Sequence, residues 1–199
     1  MVPVKIETLV VGVLPAPSVI VLRPLEDPID PREPISVLPI WISANEAASI
    51  GMAIEGASHP RPITHDLFVS LIEHLGARIE SIVIDDVKRT TFYAKINLVQ
   101  GDKRIAVDSR PSDAVGLAVR RDVPIFVDDE VLEVASLPYL FAEDLDPDAE
   151  IEEFHRFIES VTPDDFKEAG DKPDILANGA FNEDRDARGP SPDSPSQGD

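Results

Sequence analysis

Pro111 and the residues around it constrain the fold of this chain most tightly. Ile105 and Val107 alternate with polar neighbours, as the two-residue period of a strand requires. Pro111 then supplies a helix-ready φ at a position where its missing amide hydrogen costs nothing. The stretch from Val107 to Val119 therefore reads as strand, tight turn and helix start in immediate succession. Asp108 closes the strand and Arg110 lies in the turn. Ser112 and Asp113 fall in the first helical turn, where unserved backbone amides and the positive end of the dipole favour oxygen and negative charge. An anion reaching that turn would also meet Arg110. The same residues serve equally as scaffolding, because Arg110 can pair with Asp108 or Asp113 and simply hold the turn.

Taken in chain order, the rest of the sequence supplies the partners of that unit. Residues 4–14 and 18–23 alternate as two strands of a hairpin, and the acidic, proline-rich stretch 24–34 is an exposed loop. A third strand follows at 35–42, with Pro39 marking an edge or a bulge. Ser43 caps a helix, and Glu46 three residues on completes a capping box. Thr64 is expected to cap the next helix, whose Leu67, Leu71 and Leu75, widened by Phe68 and Ile72, form the apolar stripe. Gly76 ends it. Three strands at 79–87, 91–99 and 103–108 should form a sheet with one wet face. A short strand at 124–127 and one or two helical turns at 130–136 complete the body. The fold class is α+β, with helices packed on a mixed or antiparallel sheet of about six to seven strands in the order β-β-β-α-α-β-β-β-α-β-α. Residues 1–137 form the domain. Residues 138–166 are an acidic extension with one helix at 148–161, and 167–199 read as a disordered acidic tail.

Charge and composition narrow the function. The chain carries −20 overall, but residues 1–127 account for only −3 and residues 128–199 for −17. The body is nearly neutral, so the acidity argues against tight nonspecific DNA binding without bearing on a site inside the body. With no cysteine, thiolate nucleophiles, disulfides and cysteine metal sites are excluded. No run approaches the ~18 apolar residues of a membrane span, and no signal peptide is evident, so a soluble cytoplasmic protein without membrane contact is expected. Gly-rich phosphate loops, paired metal-binding histidines and a nucleophile elbow are all missing. Trp41 belongs to the core.

A second turn resembles the first in chemistry. In Arg61-Pro62-Ile63-Thr64-His65-Asp66-Leu67 a guanidinium again precedes a helix start that carries an acid. Brought together, Arg61, His65, Asp66, Asp108, Arg110 and Asp113 would hold a phosphate with the arginines and a divalent cation with the carboxylates. The competing reading makes His65 a capping or exposed side chain, the Arg–Asp pairs a clamp and Glu46 half of a capping box.

Four segments carry a resemblance to a known family: Leu38-Pro39-Ile40-Trp41-Ile42 with Glu46-Ala47; Arg61 to Leu67; Phe92-Tyr93-Ala94; and Asp108-Ser109-Arg110-Pro111-Ser112-Asp113-Ala114. In this order and spacing the chain resembles the bifunctional nuclease domain family of bacteria and plants, over about residues 2–137. The sequence departs from the family pattern in the length of its 24–34 loop and in Ser43, which replaces a common glycine. The helix at 148–161 looks like an extension that many bacterial members carry. The resemblance implies an α+β domain, nuclease activity on DNA and RNA, and self-association as a homo-oligomer. The motif positions here are Arg61, Thr64, His65, Asp66, Asp108, Arg110, Ser112 and Asp113.

The expected function is phosphodiester hydrolysis of a nucleic acid substrate. His65, Asp66, Asp108 and Asp113 would be catalytic, and Arg61, Arg110, Thr64 and Ser112 would contact phosphate. Asp66, Asp108 and Asp113 are expected to hold Mg²⁺ or Mn²⁺, a dependence drawn from carboxylate chemistry. The alternative is a noncatalytic binding or regulatory module whose acidic C-terminal segment engages a protein partner.

Overall fold

A computed structural model describes residues 1–12, 17–26, 28, 33–57, 59–139 and 147–161, the side chains of 147–151 and 159 excepted. The strands are β1 (Val2–Val10), β2 (Ser18–Pro24), β3 (Ile35–Ile42), β4 (Arg78–Lys88), β5 (Thr91–Gln100), β6 (Lys103–Ser109), β7 (Ile125–Val127) and β8 (Leu137–Tyr139). The helices are α1 (Ala44–Ile54), α2 (Thr64–His74), α3 (Pro111–Arg121), α4 (Asp129–Ala135) and α5 (Pro147–Ser160). The fold is α+β around a mixed sheet in the order β6-β5-β4-β7-β1-β2-β3-β8. β8 is one strand beyond those expected, and its Pro138 and length of three residues explain why no alternation betrayed it.

Two antiparallel meanders, β1-β2-β3 and β4-β5-β6, are joined through β7. That strand runs antiparallel to β1 and parallel to β4, with Ile82, Val83 and Ile84 facing Ile125, Phe126 and Val127. The principal core lies on the face that carries α1 to α4. It gathers Ile20, Leu22, Leu38, Ile40, Ile82, Ile84 and Ala94 from the sheet with Ile50 and Val115 from the helices. α5 covers the opposite face of the first meander, where Phe154 and Ile158 pack with Val19, Val21 and Val37. β2 is therefore buried on both sides, whereas β4 and β5 keep one wet face, as expected, and β6 is exposed on both.

α2 departs from its sequence pattern. Of its apolar residues only Val69 is buried and Ile72 partly so, while Leu67, Phe68, Leu71 and Leu75 stand more than half exposed. The period-of-four stripe marks the outer side of this helix, because its inner side is held by polar contacts. No helix among the described residues is long and apolar enough to cross a membrane. The expected tail at 167–199 lies outside the described residues, as do residues 27 and 29–32 of the expected 24–34 loop.

Candidate functional site

The starts of α1, α2 and α3 meet on the helical face of the sheet, and each is shaped locally. Ser43 caps α1 as expected, and the Glu46 carboxylate accepts from the Ser43 amide at 2.8 Å. α2 starts one residue earlier than a Thr64 cap would give. Ile63 is the N-cap, and Asp66 serves its amide through the carboxylate at 3.1 Å, so Thr64 sits inside the helix and caps nothing. α3 begins at Pro111, with Arg110 as N-cap.

A guanidinium absent from the expected set organises the interior of this cluster. Arg120, in the last turn of α3, donates from Nε to Asp66 Oδ1 at 2.6 Å and from a terminal nitrogen to the Gly116 carbonyl at 2.9 Å. It also donates to the Ser49 carbonyl at 3.1 Å and the Ser49 hydroxyl at 3.2 Å. Its side chain is 10% exposed. Ser49 Oγ lies 2.9 Å from His65 Nδ1. Arginine cannot accept, so the Ser49 oxygen accepts from Arg120 and its single hydrogen is free for Nδ1. In that order the imidazole proton sits on Nε2. This nitrogen is buried without a hydrogen-bond partner, 3.7 Å from Asp113 Oδ1. The ring lies against Gly116, where a Cβ would come within 2.7 Å of Nε2.

The outer half is built on Arg110. Its Nε and one terminal nitrogen donate to the two oxygens of Asp113 at 2.8 and 3.1 Å, and its other terminal nitrogen reaches Glu46 Oε1 at 2.6 Å. Arg110 is 66% exposed. Ser112 is buried beneath it.

The electrostatics follow from these contacts. Burial, reinforced by the Arg120 charge, lowers the His65 pKa from 6.5 against the attraction of Asp113, Asp66 and Glu46, so the imidazole is neutral at pH 7. The Arg120 hydrogen bond holds the Asp66 carboxyl below its usual range. Burial raises the Glu46 carboxyl, but the Ser43 amide and hydroxyl, Arg110 and Ser112 outweigh it and leave the pKa lowered.

The structure thus brings His65, Asp66, Arg110, Ser112 and Asp113 together, leaves Thr64 exposed beside them on the first turn of α2, and places two expected members, Asp108 and Arg61, elsewhere. Asp108 pairs in register with Lys95 on β5, whose neighbours Ala94 and Ile96 point into the helical core. Strand alternation therefore aims Asp108 at the opposite, wet face of the sheet. Arg61 is exposed on the connector before α2, and no ion pair or hydrogen bond joins it to the cluster.

The carboxylates expected to hold a metal are each engaged by an arginine or turned to the other face. Asp66 is closed by Arg120, Asp113 is chelated by Arg110, and Asp108 points away. Among the described residues no three His, Asp or Glu side chains form a group that could hold a metal ion, so the donors do not fit Mg²⁺ or Mn²⁺.

Sequence reasoning missed Ser49 and Arg120. One signal was present: Ser112, Gly116 and Arg120 recur at intervals of four, which places a charged residue on the same helix face as two small ones.

Comparison with known sequences bears on this cluster directly. The family model of the bifunctional nuclease domain matches residues 30–139, a span that contains every residue of the cluster. An uncharacterized protein of Mycobacterium tuberculosis, found in two strains, is 43% identical over 137 residues, or 65% of this chain and 80% of that protein. Bifunctional nuclease 1 of Oryza sativa subsp. japonica is 26% identical over 94 residues, covering 46% of this chain and 28% of the rice protein.

Proposed function

The chain belongs to the bifunctional nuclease domain family, and on that premise we propose that it is a nuclease that hydrolyses phosphodiester bonds in DNA, RNA or both. The observation that carries this reading is Arg110, an exposed guanidinium at the N-terminus of a helix, aimed by two carboxylates. Arginine matches the geometry of phosphate oxygens with a two-pronged donor set, and the first-turn amides of α3 add positive potential at the same place.

A substrate phosphate competes with Asp113 for the fork of Arg110. The released carboxylate then becomes the base that takes a proton from the attacking water. As the water oxygen bonds to phosphorus, the P–O bond to one sugar oxygen breaks. That oxygen leaves as a hydroxyl with a proton from solvent, to which Asp113 returns its own. Behind it, the chain of donors from Arg120 through Ser49 to His65 presents Nε2–H toward Asp113 and orients that carboxylate. His65 acts in this scheme by positioning, because its side chain is only 12% exposed. Arg110 offsets charge on the phosphate in the transition state.

The test is cleavage of single- and double-stranded DNA and of RNA by protein freed of contaminating nuclease. Arg110→Ala and Asp113→Ala are each expected to lose about a hundredfold in rate. Rates equal to wild type in both variants would overturn the assignment. Parallel reactions with Mg²⁺, Mn²⁺ or EDTA read whether a cation held mainly by substrate phosphates takes part.

A second reading, a noncatalytic binding or regulatory module, has its own observation in favour. Glu46, Asp66 and Asp113 are each already satisfied by an arginine. In that reading the acidic residues beyond 128 engage a protein partner. Nucleic acid binding that Arg110→Ala abolishes, with no cleavage by wild type, would select it.

A further inference from the structure

Two carboxylates hold Arg110, and they are not equivalent. Asp113 is 41% exposed and takes one edge of the guanidinium, Nε and a terminal nitrogen, at 2.8 and 3.1 Å. Glu46 is 17% exposed and takes only the remaining terminal nitrogen, at 2.6 Å. Its second oxygen already accepts from the Ser43 amide at 2.8 Å in the capping box of α1, and buried Ser112 lies beside it. Displacing Glu46 would open that cap, a cost that displacing Asp113 does not carry. A phosphate therefore takes the edge held by Asp113 and leaves Glu46 behind Arg110.

What stays behind sets the charge that an anion meets. Glu46, with a pKa below the ordinary 4.5, is ionised at neutral pH and offsets the charge of Arg110. Asp113 stands alongside as a second carboxylate. Asp66 and Arg120 balance one another on the inner side, and His65 is neutral. One guanidinium against two carboxylates leaves the outer half with a net negative charge. The two-nitrogen edge and the first-turn amides of α3 still bind a phosphate by geometry, but every further charge on that phosphate is opposed. An internal phosphodiester carries one negative charge. A terminal phosphomonoester carries close to two above neutral pH.

We propose that Glu46 is a specificity-determining residue, whose fixed charge behind Arg110 selects phosphodiesters against terminal phosphomonoesters. This rests on the nuclease reading and adds its substrate class: internal linkages of a strand are cut, and terminal phosphates are left on the products.

The full chain is titrated with two probes at about pH 8 and fixed ionic strength, dimethyl phosphate with one negative charge and methyl phosphate with close to two. Backbone amide shifts in α3, read by NMR, give the dissociation constants. Wild type should bind dimethyl phosphate the more tightly, and Arg110→Ala should bind neither. A misplaced Arg110 weakens both probes alike, whereas a lost charge changes their ratio. Glu46→Gln, which removes the charge, should therefore shift the ratio toward methyl phosphate by about threefold to tenfold. Glu46→Asp, which keeps the charge and shortens the reach, should weaken both and hold the wild-type ratio. Tighter binding of methyl phosphate by wild type, a ratio unchanged in Glu46→Gln, or no binding that depends on Arg110 would each overturn the inference. Cleavage of an oligonucleotide by the same preparations keeps the two readings apart. Cleavage with an unchanged ratio leaves a nuclease whose selectivity lies elsewhere. The expected ratios without cleavage leave a selective phosphodiester site and remove the nuclease.

Discussion

At the start of α2, His65 and Asp66 turn inward and are held by Ser49 and Arg120, whose guanidinium is 10% exposed. At the start of α3, Arg110 and Asp113 turn outward, and the guanidinium of that pair is 66% exposed. The two turns share their chemistry in sequence, a guanidinium ahead of a helix start with an acid in its first turn. Burial sets their uses apart. A charge enclosed by four hydrogen bonds is a brace, whereas a charge paired in water can exchange its partner for a ligand at little cost.

The comparison is broken most sharply by exchanging the two arginines for alanine, one at a time. Arg120→Ala strands Asp66 and two carbonyls around an empty site and should destabilise the fold by about 3 kcal/mol in chemical denaturation. Arg110→Ala should change stability by less than about 0.5 kcal/mol while lowering nucleic acid binding or cleavage. Equal losses of stability would abolish the distinction between brace and exchangeable pair.

Gly116→Ala tests the wall behind His65. The added Cβ would meet Nε2 at 2.7 Å and Cδ2 at 2.9 Å, and α3 is packed too closely to yield freely. A loss of about 1–3 kcal/mol is expected. The loss should shrink when His65→Ala is present as well, a coupling that a double-mutant cycle measures directly.

Acid offers a gentler perturbation of the same inner half. The folded-state pKa of His65 lies below 6.5, so between that lowered value and 6.5 the unfolded chain binds more protons than the native one. Stability is therefore intact above 6.5 and declines as pH falls through the window. His65→Gln should flatten this part of the stability profile and leave the later loss, where Asp66 and Glu46 become protonated below their usual range. A profile unchanged by the substitution would remove His65 as the group responsible.

The smallest effect is expected at Thr64. A true N-cap threonine is worth about 1 kcal/mol, but Ile63 occupies that position and Asp66 serves its amide. Thr64→Ala should be close to neutral in thermal denaturation.

The particular residues show where the sequence was legible. Ser43 with Glu46, and Pro111 at the first position of α3, are local signals within four residues, and both helices begin where those signals place them. The alternation in β4 to β6 was equally plain. What escaped depends on distance. Arg120 reaches Asp66 across 54 residues and Ser49 across 71, spans over which no spacing rule operates. Asp108 was placed on the correct strand, but its face follows from register with Lys95, which only the paired sheet defines. The leucines of α2 keep the period of an apolar face, but their direction is not legible from spacing alone, and they point outward because polar contacts hold the inner side.

That inversion in α2 has a consequence for the order in which the native protein loosens. With Val69 as its one buried residue, α2 is fastened at its first turn by charge and hydrogen bonds more than along its length by packing. It should behave as a separate cooperative unit, opening while the sheet remains closed. Its amide hydrogens would then exchange with solvent ahead of those in α1 and α3, and Arg120→Ala would speed that exchange selectively. The pin that fixes His65 behind Asp113 also sets the local free energy at which this helix lets go.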